Sequence, residues 1–310
     1  MRARVAAALS LMALAACVLA VGFSGASFTD TTQNPQTVSA VTDFLAPTAG
    51  ASTIAKTQGG VDGYIKAAGT YYVYASVTDA GNPASGIASV KADVSSITSK
   101  QTAVPLVAGS YAVDGVSYNY RSAQLTADSA LTAGLKSYTL ALADSAGNSR
   151  SQSFSVTVDN GPFAGSSFAT SNVAGGTQGK PEKGDTVTFT FNKAPEPGSI
   201  VSGWTGSTGT TVTVTIEATL KVSAEGSPVL GSVSLKGIYT NLGKTATFSG
   251  STMTLSGSTL TIVLGAEPAG NAIAETGKDK PVWTPSASVF DQAWNACSTA
   301  TVNGVEAKQF

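Results

Sequence analysis

Residues 138–160 constrain the fold more than any other stretch. Tyr138, Leu140 and Leu142 alternate with Thr139, Ala141 and Ala143, and Phe154, Val156 and Val158 alternate with Ser155 and Thr157. Successive side chains on a strand point to opposite faces, so each run is a strand with one buried face. The polar run Asp144–Gln152 joins them as an antiparallel hairpin. Asp144, Gly147 and Asn148 supply the turn, since Gly and Asn tolerate positive φ and Asp bonds its own backbone. Asp159, Asn160, Gly161 and Pro162 end the unit. The chain ahead of this hairpin carries the pattern of one β-sandwich, and the chain after it the pattern of a second.

Composition supports a β-rich chain and removes several chemistries. Hydrophobic residues make up 42% of the 310 residues and charged ones only 12%, about half the ~25% of ordinary soluble domains. Ser, Thr, Gly and Ala fill the difference, as expected of strands whose outer faces meet water. The chain contains no histidine, which removes the commonest general base and metal ligand. The formal net charge is −1 and no basic patch stands out, so nucleic-acid binding has no electrostatic basis.

Residues 1–26 read as a signal peptide. Arg2 and Arg4 form a positive start, Val5–Phe23 is apolar, and Ser24-Gly25-Ala26 offers small residues for cleavage after Ala26. Two other readings stay open. The apolar run approaches the length of a membrane anchor, and Leu14-Ala15-Ala16-Cys17 matches a lipobox that would lipidate Cys17. The membrane is a partner only through this segment, if it is uncleaved or lipidated. If Cys17 leaves with the signal, Cys297 is the sole cysteine and no internal disulfide forms. Cys297 then reads as a small buried hydrophobe, with an intermolecular bridge as the alternative.

The mature chain divides into an extended lead-in over 27–46, with a short strand at 37–41, a first sandwich over 47–160 and a second over 161–310. Tyr71–Val77 is the strongest strand of the first half, with Tyr71, Val73, Ala75 and Val77 on one face and Tyr72 and Tyr74 on the other. Ile87–Val94 is a further strand, and Asp114-Gly115 centres a hairpin between residues 111 and 125. Tyr72–Asn82 and Tyr138–Asn148 line up without gaps as the same strand-into-turn solution used twice, the two Asp residues falling one position out of register. In the second half Asp185–Phe191 and Thr211–Ile216 alternate, and Val229–Leu235, Thr245–Phe248, Met253–Leu255 and Leu260–Leu264 follow. The modules join near 159–165, and the joining stretch extends to Gly179.

The run Ala143-Asp144-Ser145-Ala146-Gly147-Asn148, followed by Thr157-Val158-Asp159-Asn160, resembles the last hairpin of bacterial immunoglobulin-like domains. Asp79-Ala80-Gly81-Asn82 with Ser85-Gly86-Ile87 is similar to an earlier turn of that family. The resemblance covers about 47–160 and implies a sandwich, found in tandem on secreted and wall-associated proteins. The second half is similar at Asp185–Phe191, Pro197–Ile200, Gly203-Trp204, Trp283-Thr284-Pro285 and Asp291-Gln292-Ala293-Trp294-Asn295. There Trp294 replaces the family's turn glycine, which puts that turn's geometry in question. Ala26-Ser27-Phe28-Thr29-Asp30 resembles the junction of signals carried by camelysin and by biofilm-matrix fibre proteins of the TasA type, which implies export.

No residue set carries catalysis, a cofactor or a metal in this reading. Asp62, Asp79, Asp144 and Asp159 read as turn-forming aspartates, because no D-x-D-x-D-G calcium loop is present, and calcium is expected to leave the melting temperature nearly unchanged. Trp204, Trp283 and Trp294 read as core or interface anchors rather than a sugar platform. Ala174–Gly179 lacks phosphate-loop spacing, and a serine triad cannot be assembled without histidine. The expectation is an all-β, exported protein of two tandem immunoglobulin-like sandwiches. It would serve at the cell surface or outside the cell as a structural or adhesion component without enzymatic activity. A matrix-fibre subunit and a carbohydrate-binding protein are the alternatives. Its partners would be other surface or matrix proteins or glycans, met through loop tips such as Ala80–Ser85 and Ala174–Gly179 or through sheet edges.

Overall fold

The fold follows from where the alternating runs put their apolar faces. A computed structural model describes residues 43–310 except Asn82 and Asn271; the expected signal segment, the strand at 37–41 and Cys17 lie outside the described residues. The regular secondary structure of the described residues is nearly all strand. The first module holds β1 (Thr48–Lys56), β2 (Tyr64–Ile65), β3 (Thr70–Thr78), β4 (Ile87–Asp93), β5 (Val104–Val113), β6 (Val116–Ser122), β7 (Leu125–Thr126), β8 (Gly134–Asp144) and β9 (Ser149–Val158). Their order is β1-β3-β6-β5-β4-β8-β9-β2, with β7 beside β3. Strand β5 changes layer along its length: Val104 and Pro105 pair with β4, and Leu106 to Val113 pair with β6. The hairpin at Asp114-Gly115 takes φ of 47° and 77°, the left-handed pair that two-residue hairpins favour.

The inner faces meet as the alternation requires. Tyr71, Val73, Ala75 and Val77 of β3 are buried with Val90 and Ala92 of β4 and Tyr138, Leu140 and Leu142 of β8 in one core. Tyr138 stacks on Phe154 at 5.8 Å and its hydroxyl reaches the Ser52 hydroxyl across the layers at 2.9 Å. The other face of β3 is not simply solvated. Tyr74 packs with Ala55, Val113 and Tyr118 in a small second cluster, and Arg121 lies 4.6 Å from the Tyr72 ring and 4.5 Å from the Tyr111 ring.

The second module holds β10 (Phe163–Ser171), β11 (Thr186–Phe191), one helical turn α1 (Pro197–Ile200), β12 (Thr210–Ile216), β13 (Thr219–Ala224), β14 (Ser227–Ser234), β15 (Ala246–Ser256) and β16 (Thr259–Val263). Short strands complete it: β17 (Lys278–Asp279), β18 (Val282–Thr284), β19 (Cys297–Ser298), β20 (Val302–Asn303) and β21 (Ala307–Lys308). The sheet runs β19-β10-β11-β16-β15-β12-β13-β14-β18-β20, with β17 and β21 paired apart. It wraps around a core centred on Phe189, Phe191, Phe248 and Trp283.

Three details differ from the sequence reading. Residues 163–171, expected as part of a joining stretch, form β10 and pair with β11 along its whole length. The runs at 245–248 and 253–255 are one strand, β15, whose pairing with β12 slips between Val212 and Val214. Ala174–Gly179 is not a free tip: Gly179 donates to the Phe310 carbonyl and accepts from Thr276.

Candidate functional site

Two places in the molecule concentrate charge, and both grow from the same local sequence. In the first module, β8 ends at Asp144 and turns back at Asn148. The Asn148 backbone N–H donates to Asp144 Oδ1 at 2.8 Å and its side-chain amide to Asp144 Oδ2 at 2.8 Å. In the second module Asp291 and Asn295 repeat this. The Asn295 N–H donates to Asp291 Oδ1 at 2.8 Å, and its amide lies 3.0 Å from Asp291 Oδ2. Both loops close with the same backbone pair, Asp144 N–H to the Asn148 carbonyl and Asp291 N–H to the Asn295 carbonyl.

Gly147 takes φ of 94° in the first loop and Trp294 takes φ of 70° in the second. The replacement of glycine by Trp294 therefore leaves the turn geometry intact. The left-handed conformation costs a non-glycine residue roughly 1–2 kcal/mol. Compensation is visible: Trp294 stacks on Phe290 at 4.7 Å with planes 5° apart, and its carbonyl accepts from Lys66 Nζ at 2.7 Å.

Each loop also holds the segment leading into its own module. The Asn148 amide donates to the Asp43 carbonyl at 3.1 Å, and the Asn295 amide donates to the Asp159 carbonyl at 2.9 Å. Asp43 and Asp159 both fold their carboxylates back onto the backbone two residues on, accepting from Leu45 N–H at 3.0 Å and from Gly161 N–H at 2.8 Å. The frames thus match residue by residue: Asp43 with Asp159, Asp144 with Asp291, Asn148 with Asn295.

What closes the frame differs. In the second module Lys193, just past β11, puts its ammonium 2.8 Å from Asp159 Oδ2 and 2.8 Å from Asp291 Oδ2. The Gly161 carbonyl takes the third contact at 2.8 Å, so all three ammonium protons have acceptors. Partial burial lowers the Lys193 pKa, but the hydrogen bonds and charges of Asp159 and Asp291 outweigh it and hold the amine above its ordinary value. In the first module the residue just past β3 is Asp79. Carboxylate oxygens of Asp43, Asp79 and Asp144 lie within 4.8 Å of one another. Asp43 and Asp144 are buried. The Leu45 and Ser85 amides hold the Asp43 carboxyl below its ordinary value, and Asp79 Oδ2 accepts from Gly86 N–H at 2.8 Å. A Cβ on Gly81 would overlap the Asp43 carboxylate, so glycine there lets the backbone at residue 81 lie directly against it. Among the described residues, none of the salt bridges engages these three carboxylates.

The sequence reading singled out Asp79 and Asp144, which the structure brings together, and Asp159, which it places at the module junction. Asp62 joins neither cluster. Asp43 was missed because it sits in the lead-in, and its ties run to Ser85 and Asn148, 42 and 105 residues along the chain. The available signal was an aspartate shortly before a proline and a strand, shared by Asp43…Pro47 and Asp159…Pro162.

The junction carries a second charged contact. Lys56 of β1 and Glu196, beside α1, pair at 3.2 Å with side-chain exposures of 4% and 2%. Burial lowers the Lys56 pKa against the pull of Glu196. The Glu196 carboxylate also accepts from Val61 N–H at 3.0 Å and rests on Gly60, where a Cβ would overlap it. The tryptophans do not form a platform. Trp283 is core and donates to the Leu230 carbonyl at 2.9 Å, Trp204 is buried and donates to the Thr208 carbonyl at 2.7 Å, and Trp294 lies at the junction. Cys297 is buried beside β10, and burial pushes its thiol up to about 11.

No protein-family model and no curated protein matches the chain. Among solved structures, the C-terminal domain of the AgI/II polypeptide BspA from Streptococcus agalactiae aligns at 12% identity over 84% of this chain and 98% of that one, with a TM-score of 0.18. At that level the likeness says nothing about fold or activity. Among the described residues no helix is long and apolar enough to cross a membrane.

Proposed function

We propose that this chain is an exported, non-catalytic protein of the cell surface or extracellular space, a two-module structural or adhesion arm. The observation that carries the reading is the junction. Lys193 ties the linker aspartate Asp159 to the end loop of the second module, and the buried Lys56–Glu196 pair joins β1 of one module to the α1 region of the other. Modules held at several points of charge keep a set orientation, which suits a spacer that presents a binding surface away from its anchor. Surface or matrix proteins and glycans are the expected partners. The absence of histidine and the commitment of the strands to cores and solvated faces support a binding rather than a turnover role.

The test combines location with activity. The reading expects the full chain outside the cell by surface proteolysis, silence in a broad hydrolase screen, and binding on a glycan array or to purified matrix protein. Reproducible turnover, abolished by one Ser or Asp substitution that leaves the fold intact, would overturn it.

A further inference from the structure

We infer that Asp43, Asp79 and Asp144 form a calcium site that fastens the segment leading into the first module, doing with a metal ion what Lys193 does with an ammonium in the second. This departs from the sequence expectation that the aspartates only shape turns, and it does not depend on the surface role proposed above.

Clustered carboxylates alone do not make a site, and two further observations point to a cation. First, Asp79 Oδ1 has less than 1 Å² of accessible surface and no hydrogen-bond partner. A buried carboxylate oxygen without a donor is costly, and a cation shared with Asp43 and Asp144 removes that cost. Second, the molecule contains its own control. The frame of Asp159, Asp291 and Asn295 repeats three bonds of Asp43, Asp144 and Asn148: linker aspartate to its own backbone, asparagine N–H to loop aspartate, and asparagine amide to linker carbonyl. In the control the position just past the strand that pairs with the module's first strand supplies a positive charge that contacts both carboxylates. In the first module the corresponding position supplies a third carboxylate instead. A lysine satisfies two aspartates; three aspartates facing one point need a cation of higher charge.

The donor chemistry selects the ion. All three side chains offer oxygen, which suits hard cations, and they come from a lead-in and two strand ends rather than a near-ideal octahedron, which suits calcium better than magnesium. Ligands opposite one another across a calcium ion at 2.3–2.6 Å lie about 4.6–5.2 Å apart, and the carboxylate oxygens fall within 4.8 Å of one another. Asp43 and Asp144 accept hydrogen bonds already, but each carboxylate oxygen keeps a further lone pair for a metal. The Lys193 ammonium also takes the Gly161 carbonyl, two residues after Asp159. The correspondence therefore adds the Leu45 carbonyl, two residues after Asp43, as a fourth oxygen, with water completing the shell.

Calcium titration of the full chain, by calorimetry and thermal melting in chelator-treated buffer, tests the assignment. Extracellular modules bind calcium at about 10⁻⁴–10⁻³ M, so 10 mM calcium should raise the melting temperature by about 3–8 °C, and chelator should reverse the shift. Asp79→Asn keeps the size of the side chain and should lose the calcium shift while melting at least as high as the unsubstituted chain in chelator. No heat and no shift up to 10 mM calcium in the unsubstituted chain would overturn the assignment. So would an undiminished shift in Asp79→Asn, or an equal response to magnesium.

Discussion

The first module is bounded by two segments fastened with the same parts: an aspartate that folds onto its own backbone, an aspartate in a tight loop, and an asparagine whose amide bridges them. At the second module's start the fastening includes Lys193 and is complete within the chain. At the first module's start it includes Asp79 and concentrates negative charge. One substitution, cation for carboxylate at the end of a strand, separates a joint that is permanent from one that answers to its surroundings. Where the chain must hold two modules in register it uses the covalent cation. Where Asp43 enters the first module, closing the frame is left to the medium.

The largest expected effect lies at the permanent joint. Glu196→Ala leaves the Lys56 ammonium buried without its carboxylate, and breaking such a pair costs about 3–5 kcal/mol; urea unfolding should report this as a lower midpoint. Lys193→Ala comes next. It removes all three hydrogen bonds of the ammonium, two to carboxylates and one to the Gly161 carbonyl, and leaves the buried Asp291 facing Asp159, a loss of about 1.5–3 kcal/mol. The same joint carries a pH signature. Because the folded amine titrates above its ordinary 10.5, its stabilisation is complete below that value and is lost as the pH rises through the higher folded value. Lys193→Ala should therefore flatten the alkaline limb of stability against pH.

Smaller effects sharpen the match between the frames. Asn148→Ala and Asn295→Ala each remove an amide that spans an aspartate and a linker carbonyl, at about 1–2 kcal/mol apiece. Near-equal losses in chelator would confirm that the frames are equivalent, whereas a loss confined to one would show that the likeness is only geometric. Trp294→Gly relieves roughly 1–2 kcal/mol of left-handed backbone and gives up an aromatic stack of about 0.5–1.5 kcal/mol. Its net effect on the unfolding midpoint should stay below about 1 kcal/mol.

Much of the fold was legible because burial imposes a period of two. Tyr71–Val77, Tyr138–Leu142 and Val187–Phe191 put their apolar sets inward as read, and Asp114-Gly115 made the expected hairpin. What stayed hidden depended on partners far along the chain. Strand β10, with Gly165, Ser166 and Ser167 in its middle, carries little alternation and is defined by pairing with β11. Gly165 is there because the Trp283 ring leaves no room for a Cβ. Tyr72 and Tyr74 share the other face of β3, but the sequence does not say that Arg121 and Tyr118 cover them. The candidate site was legible in part: Asp79 and Asp144 stand in recognisable turns, but nothing local marks Asp43 as their neighbour.

The most direct test of the central contrast is a calcium titration followed by amide resonances of the full chain, since the N–H groups of both frames point at the carboxylates in question. The account predicts shifts at Leu45, Ser85, Gly86 and Asn148, which donate to the first cluster, and none at Gly161, Ala293 and Asn295, which donate to the lysine-closed one. Unchanged resonances in both sets, or equal shifts in both, would contradict it.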